Sequence, residues 1–297
     1  MKRFLALSRS THGVLDVAMP GFVALLCLGH FPPWGVLGLS LFTAVAGYTA
    51  IYALNDLVGV GVDRQKFVNT AINEGYSVEA SSMRYPLARS LLSIRSGAVW
   101  FGFWYALTLL GAYLLNPPIV FIVLVAAGLE VLYCLLLKVT YWRTLISGLV
   151  KSAGPIAAVY AVTRAPSVSM LCLLLAWLIF WEIGGQNIPA DWNDIDEDKR
   201  VGAKTIPLVF GPRISGTLVL ASLVLTFILS LLLPRISPLA LGWPYLAASG
   251  IAGGILLLLP GYQLWRSHDG RQAARLFDHA SYYPLAQLAI VTVFMLR

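Results

Sequence analysis

Long apolar runs fill most of this chain, separated by short polar connections, and two connections break that rhythm by being long and acidic. About nine runs approach the roughly 20 residues that a helix needs to cross about 30 Å of hydrocarbon. They lie at roughly 13–31, 34–54, 93–115, 118–137, 144–163, 168–188, 214–234, 238–261 and 277–296. A membrane β-barrel is excluded, because it would show short strands of alternating polarity instead. The expected fold is all-α: a polytopic helical membrane protein of about nine transmembrane helices, forming one domain over 1–297. The opening "MKRF" has the basic character of a signal peptide, but no small-residue cleavage site follows, so the first run is read as a retained helix.

The connections sharpen this picture. "HFPPW" at 30–34 and "NPP" at 116–118 are tight Pro-containing turns, whereas the segments at 55–92 and 189–213 are long. These two follow the second and sixth runs, each after an even number of crossings, so both should emerge on one face. The placement predicts two pseudo-repeated four-helix halves plus a ninth helix.

Composition agrees: 58% of residues are hydrophobic and only 12% charged, too little charge to cover a soluble surface. Seventeen Lys and Arg fall on the side of the N-terminus and the long connections, and three fall opposite. By the positive-inside rule this places the N-terminus and both long connections in the cytoplasm, with a bacterial inner membrane as the expected location. The net charge of +7 then needs no nucleic acid, and no nucleic-acid-binding motif accompanies it. Cys27, Cys134 and Cys172 stand far apart in separate runs and make neither a disulfide framework nor a metal-ligand spacing.

The chemistry concentrates in the long connections. Of fourteen Asp and Glu, nine lie in 55–79 and 191–198, on the face that carries the long segments. "NDLVGVGVD" supplies Asn55, Asp56 and Asp63; "DWNDIDEDKR" supplies Asp191, Asp194 and Asp198. Helical positions i, i+3 and i+7 share a face, so the second set should form one acidic stripe. A lone acidic cluster beyond a helix end is most often a solvated cap. Here, however, the carboxylates oppose the helix macrodipole, and two such sets stand at equivalent places. If they converge, they need protons or cations, and an oxygen-only donor set suits a hard divalent ion such as Mg²⁺. Arg64, Lys66, Arg84, Lys199, Arg200 and Lys204 interleave with them, and basic groups beside a metal are equipment for a diphosphate. Topology alone explains any one of these basic residues equally well.

The paired motifs resemble those of the UbiA superfamily of intramembrane prenyltransferases. The family's first motif, N-D-x-x-D-x-x-x-D, is matched at Asn55, Asp56 and Asp63. Its second, D-x-x-D-x-x-x-D with a following Gly and Thr, is matched at Asp191, Asp194, Asp198, Gly202 and Thr205. "YCLLLKVT" is similar to a family stretch that puts Tyr133 and Lys138 at a helix end, and "RYPLARS" is similar to its Arg-containing segment, here Arg84. The resemblance implies Mg²⁺ held by Asp56, Asp63, Asp191, Asp194 and Asp198, with the first four also catalytic. It implies a polyprenyl diphosphate bound by Asn55, Arg64, Lys66, Arg84, Lys138, Lys199 and Lys204. Tyr133 would contact substrate, and the prenyl group would pass to an aromatic, quinone-precursor-like acceptor. Gly59 departs from the pattern, standing where the family places the middle Asp of its first motif. Either a water completes the metal shell, or one ion binds weakly, or the activity has drifted; retained but altered chemistry is expected.

Inside the runs, Asp16, Glu130, Lys151 and Glu182 are expensive in hydrocarbon and mark a site or a paired network. Glu182, Gln186 and Asn187 on the approach to the second motif are candidates for recognising an acceptor's hydroxyl or carboxylate. The structural alternative pairs Lys151 with Glu130 or Glu182. His12 and Asn73 are weaker candidates. Trp100, Trp104, Trp142 and Trp181 read as core or interfacial belt. A transporter with an acidic ion path is the rival class, but it would hold its carboxylates at mid-membrane. The D-G-x-x-A-R opening of CDP-alcohol phosphotransferases is absent.

Overall fold

A computed structural model describes residues 1–66 and 85–296, and every element among them is helical. Three short helices lead in: α1 (Lys2–Leu7), α2 (Ser10–Asp16) and α3 (Ala18–Leu28). The long α4 (Trp34–Lys66), α5 (Ile94–Leu115), α6 (Pro117–Leu135), α7 (Arg143–Val162) and α8 (Val168–Trp181) follow. Beyond a wide turn come α9 (Ile188–Asn193), α10 (Ile195–Arg200), α11 (Ile206–Leu232), α12 (Trp243–Gly253), α13 (Leu259–Ser267) and α14 (Gly270–Met295).

Seven continuous segments are long and apolar enough to cross a bilayer: 34–66, 94–115, 117–138, 143–162, 168–193, 206–236 and 243–267. The two ends differ from the nine-span expectation. The first span is a shorter apolar stretch over His12–Leu28, jointed at Val17 between α2 and α3. The last is the 26-residue α14, whose N-terminal half carries charge and amide groups. The chain is an integral membrane protein, and its surface agrees: Trp34, Phe121, Val168 and Trp243 are exposed on the spans, facing a solvent that is itself apolar.

Local chemistry sets the ends. Ser93 accepts a hydrogen bond from the Ser96 amide and opens α5; Pro117 and Pro118 open α6, where no amide donor is needed. Gly29 ends α3 at φ 77°, and a β-carbon there would lie 2.5 Å from Pro238.

In lipid there is little hydrophobic gain between helices, so close packing decides their arrangement. A β-carbon on Gly111 of α5 would come 2.1 Å from Thr43 of α4, so this glycine lets the two helices approach. The largest buried cluster joins α3, α7, α8, α11 and α14 through Phe22, Val159, Trp177, Val219 and Tyr283. Phe22 and Trp177 meet edge to face at 5.6 Å.

Two departures from expectation both concern the acidic motifs. α4 does not end at 54; it runs unbroken to Lys66, so the first motif stands on a helix and not in a loop. The second motif is not one continuous stripe. A wide i→i+5 turn over Glu182–Asn187 precedes α9, and Asp194, at φ −92° and ψ 15°, is the joint between α9 and α10. Such turns recur at functional positions because they swing side chains off the ordinary helical face. Packing permits this one: a β-carbon on Gly184 would press Ser222 of α11 at 2.8 Å, and one on Gly185 would press Ala280 of α14 at 2.8 Å.

Candidate active site at the acidic end of the bundle

A cavity of about 740 Å³ opens among α2–α7, the 182–198 segment and α14. Its volume suits a drug-sized ligand. Helices α11, α12 and α13 contribute nothing to its wall and buttress it from behind. Most of its length is apolar, with residues such as Val17, Leu25, Leu41, Ile122 and Val150. Its charged groups gather in two places: around the acidic motifs and around Lys151.

Both motifs reach the same wall. On α4, Asn55, Gly59, Val62, Asp63 and Lys66 line the cavity, one face of an unbroken helix. Facing them are Ala190, Asp191, Asp194 and Asp198. The link between the two sides is direct: Lys66 Nζ lies 2.6 Å from Asp198 Oδ1, and the Arg200 guanidinium donates to the Lys66 carbonyl at 3.0 Å. The Lys66–Asp198 pair is buried, where charge-assisted contacts are strong. Burial pushes the Asp198 carboxyl up from its ordinary value, with Lys66 opposing that shift.

Arg143 organises the second side. Its Nη1 lies 3.1 Å from Asp191 Oδ1, and its guanidinium sits 4.1 Å from the Tyr133 ring centre. Asn187 Nδ2 donates to the Tyr133 hydroxyl at 3.0 Å. Lys138 lines the cavity and donates to Gln65 at 2.9 Å. Asn55 is held from both sides, accepting from Arg9 at 3.3 Å and donating to Glu130 at 2.5 Å.

Of the residues singled out from sequence, Asn55, Asp63, Lys66, Tyr133, Lys138, Glu182, Gln186, Asn187, Asp191, Asp194 and Asp198 line the cavity. Asp56 does not; it is buried with Arg9 Nη2 at 3.5 Å. The i, i+7 relation to Asp63 holds along α4, but the wall passes through Asn55 and Asp63 instead. Arg64, Lys199 and Lys204 are exposed and off the wall. Arg64 and Lys199 each follow a wall residue on a helix, so one step of rotation turns them to water, and Lys204 lies in the connection between α10 and α11. Arg84 and Asn73 lie outside the described residues. Lys151 pairs with Asp16 at 2.8 Å, and with neither Glu130 nor Glu182.

The sequence reading missed Arg143 and Arg9, both charged to topology. A signal existed for the first: Arg143, Ser147, Lys151 and Gly154 follow i, i+4, i+8 and i+11 spacing on an otherwise apolar helix, and all four line the cavity.

Among the described residues, no three His, Cys, Asp or Glu side chains form a preassembled metal cage. The donor set nevertheless fits Mg²⁺, which binds through one or two carboxylates and completes its shell with water and substrate phosphate. Asp191 Oδ2 is buried, has no hydrogen-bond partner among the described residues and belongs to a wall residue, so this oxygen is available for a cation. At Gly59 a β-carbon would sit 3.0 Å from Asp63 Oδ2: the Asp63 carboxylate lies over the space that the missing side chain leaves.

Comparison with known proteins bears on this geometry. A model of the UbiA prenyltransferase family matches residues 17–285. The protoheme IX farnesyltransferase of Thermus thermophilus is 27% identical over 271 residues, 88% of this chain. The chain spans only 41% of that relative's length. The digeranylgeranylglyceryl phosphate synthase of Pyrococcus abyssi is 26% identical over 233 residues, 78% of this chain and 77% of that one. Among solved structures, a UbiA homologue from Aeropyrum pernix in its apo form superposes with a TM-score of 0.72 at 18% identity, covering 95% of this chain and 97% of that one. A homologue from Archaeoglobus fulgidus bound to DMAPP and Mg²⁺ gives 0.70 at 17% identity, covering 98% and 99%. At these identities the structural likeness is one of fold.

Proposed function

The chain belongs to the UbiA prenyltransferase family, and from that premise we propose that it transfers a prenyl group from a polyprenyl diphosphate to an aromatic, quinone-precursor-like acceptor within the membrane. The observation that carries the reading is the pair of acidic motifs on one cavity wall, joined by the Lys66–Asp198 contact. The relatives' names point to transfer of isoprenoid groups, and one homologue's structure holds a prenyl diphosphate with Mg²⁺.

Asp63, Asp191, Asp194 and Asp198 would hold Mg²⁺, with Asp191 Oδ2 as the first donor. When bound, the metal neutralises charge on the diphosphate. Lys66, Lys138 and Arg143 line the same end and stabilise the negative charge that builds as the allylic C–O bond breaks. The acceptor ring attacks the allylic carbon, a C–C bond forms, the ring proton leaves, and diphosphate is released. Apolar walls around Leu41, Ile122 and Val150 take the prenyl tail and keep water from the cation. Tyr52, Tyr133 and Phe277 offer flat faces to an aromatic acceptor. The polar head is then served near the cytoplasmic face while the tail stays in hydrocarbon.

A catalytically drifted relative would share this fold, but the buried cation pairs on Asp191 and Asp198 favour a working site. Transporter chemistry has less support, because the acidic cluster sits at one end of the bundle. The test is a proteoliposome assay with radiolabelled geranyl and farnesyl diphosphate against aromatic acceptors. Product that forms with Mg²⁺ and vanishes with EDTA is expected. No product from any pair, with diphosphate binding intact, would overturn the reading.

A further inference from the structure

A second polar cluster lines the cavity away from the acidic motifs, and the diphosphate chemistry does not use it. α7 builds it. Ser147 and Lys151, one turn apart, reach three other elements: the Glu182–Asn187 turn, α2 and α4. The Ser147 hydroxyl donates to Glu182 Oε1 at 2.6 Å, and Lys151 Nζ lies 2.8 Å from Asp16 Oδ2 and 2.9 Å from the Tyr52 hydroxyl. Tyr52 also donates to Asp16, and His12 Nε2 lies 3.4 Å from Asp16 Oδ1. Asp16 is thus surrounded by donors, and the cluster's only lysine is committed to it.

Glu182 is treated differently. It is 3% exposed, and among the described residues it forms no ion pair and its Oε2 has no hydrogen-bond partner. His12, 2% exposed, likewise leaves Nδ1 without one. Both residues line the cavity. A buried, oriented carboxyl oxygen with nothing donating to it is costly unless a ligand supplies the donor. The wide turn at Glu182–Asn187 is what delivers it to the wall.

We propose, on the prenyltransferase reading above, that Glu182, oriented by Ser147, receives a hydroxyl of the acceptor, so that the site selects a neutral hydroxyl-bearing acceptor over a carboxylate-bearing one. A ligand hydroxyl both donates and accepts, which also suits a neighbouring imidazole nitrogen. A ligand carboxylate would add a second anion beside Glu182 while the Lys151 ammonium is already bound to Asp16, a desolvated like-charge contact.

The test uses the protein in nanodiscs and two probes that differ only at the para position, hydroquinone and 4-hydroxybenzoate. Binding is read by tryptophan fluorescence, and geranyl transfer is read separately. Wild type is expected to bind hydroquinone at least about tenfold more tightly, the scale of one hydrogen bond to a charged group. Glu182→Gln keeps an acceptor for Ser147 but weakens the pull on the ligand; hydroquinone affinity should fall about tenfold while geranyl diphosphate affinity stays within about twofold. Ser147→Ala, which only frees the carboxyl to turn, should lower hydroquinone affinity by about threefold. Equal or tighter binding of 4-hydroxybenzoate to wild type, no binding of hydroquinone, or unchanged hydroquinone affinity in Glu182→Gln would each overturn the proposal. Preference for hydroquinone without any prenylated product would leave it standing and sink the transfer reading instead.

Discussion

The two acidic motifs reach one cavity wall by opposite structural means. The first rides on α4, a 33-residue helix that passes its Asn55, Gly59, Asp63 and Lys66 along one regular face. The second sits on a segment interrupted twice, by the wide turn at Glu182–Asn187 and by the joint at Asp194. The regular helix brings one aspartate of its two to the wall; the interrupted one brings Asp191, Asp194 and Asp198. Irregular backbone thus gathers more carboxylate than periodicity does, and on the proposed reading most of the metal-holding set belongs to the second motif. Gly59 belongs to this asymmetry: the first motif gives up a carboxylate, and Asp63 folds over the vacated space.

That comparison can be broken by mutation. The largest effect is expected from Asp191→Asn, which keeps an acceptor for Arg143 but removes the charge beside the unpartnered Oδ2. Prenyl transfer should fall by at least about a hundredfold, as for loss of one oriented electrostatic group in a dry site. Asp63→Asn should cost visibly less in the same assay; an equal or greater loss would erase the asymmetry. Next comes Lys66→Met, which leaves Asp198 buried beside no ammonium. Diphosphate affinity should drop about tenfold, and thermal stability of the detergent-solubilised protein should fall as well, because a broken buried pair strands a charge. Gly59→Ala forces Asp63 to shift by a few tenths of an ångström, and kcat should fall by about threefold with KM for diphosphate little changed. The smallest effect belongs to the exposed Arg64, Lys199 and Lys204, whose alanine variants should stay within about twofold of wild type.

Much of this fold was legible in the chain, because a bilayer demands long apolar helices and nearly any such run announces itself. The ends were less so. α14 mixes Arg271, Arg275, Asp278 and Gln287 with apolar residues, and α2–α3 is too short for a window of full span length. The placement of the aspartates was readable in part: Asp63, Asp191, Asp194 and Asp198 reach the cavity wall, and Asp56 does not. Three things were hidden. Whether a basic residue beside a motif points to water or to the cavity depends on one residue of helical phase, so Arg64 and Lys66 looked alike. Arg143 sits alone near a helix start, where membrane topology is reason enough for an arginine. The partner of Lys151 could not be read because Asp16 is 135 residues away.

The central claim is that two distant aspartate-bearing segments grip one diphosphate together. Calorimetric titration of geranyl diphosphate with Mg²⁺ into wild type, Asp63→Asn, Asp191→Asn and the double variant tests it directly. Shared ligation predicts that each single change weakens binding and that the double change costs clearly less than the product of the two. Losses that simply multiply, or a single variant that binds like wild type, would contradict it.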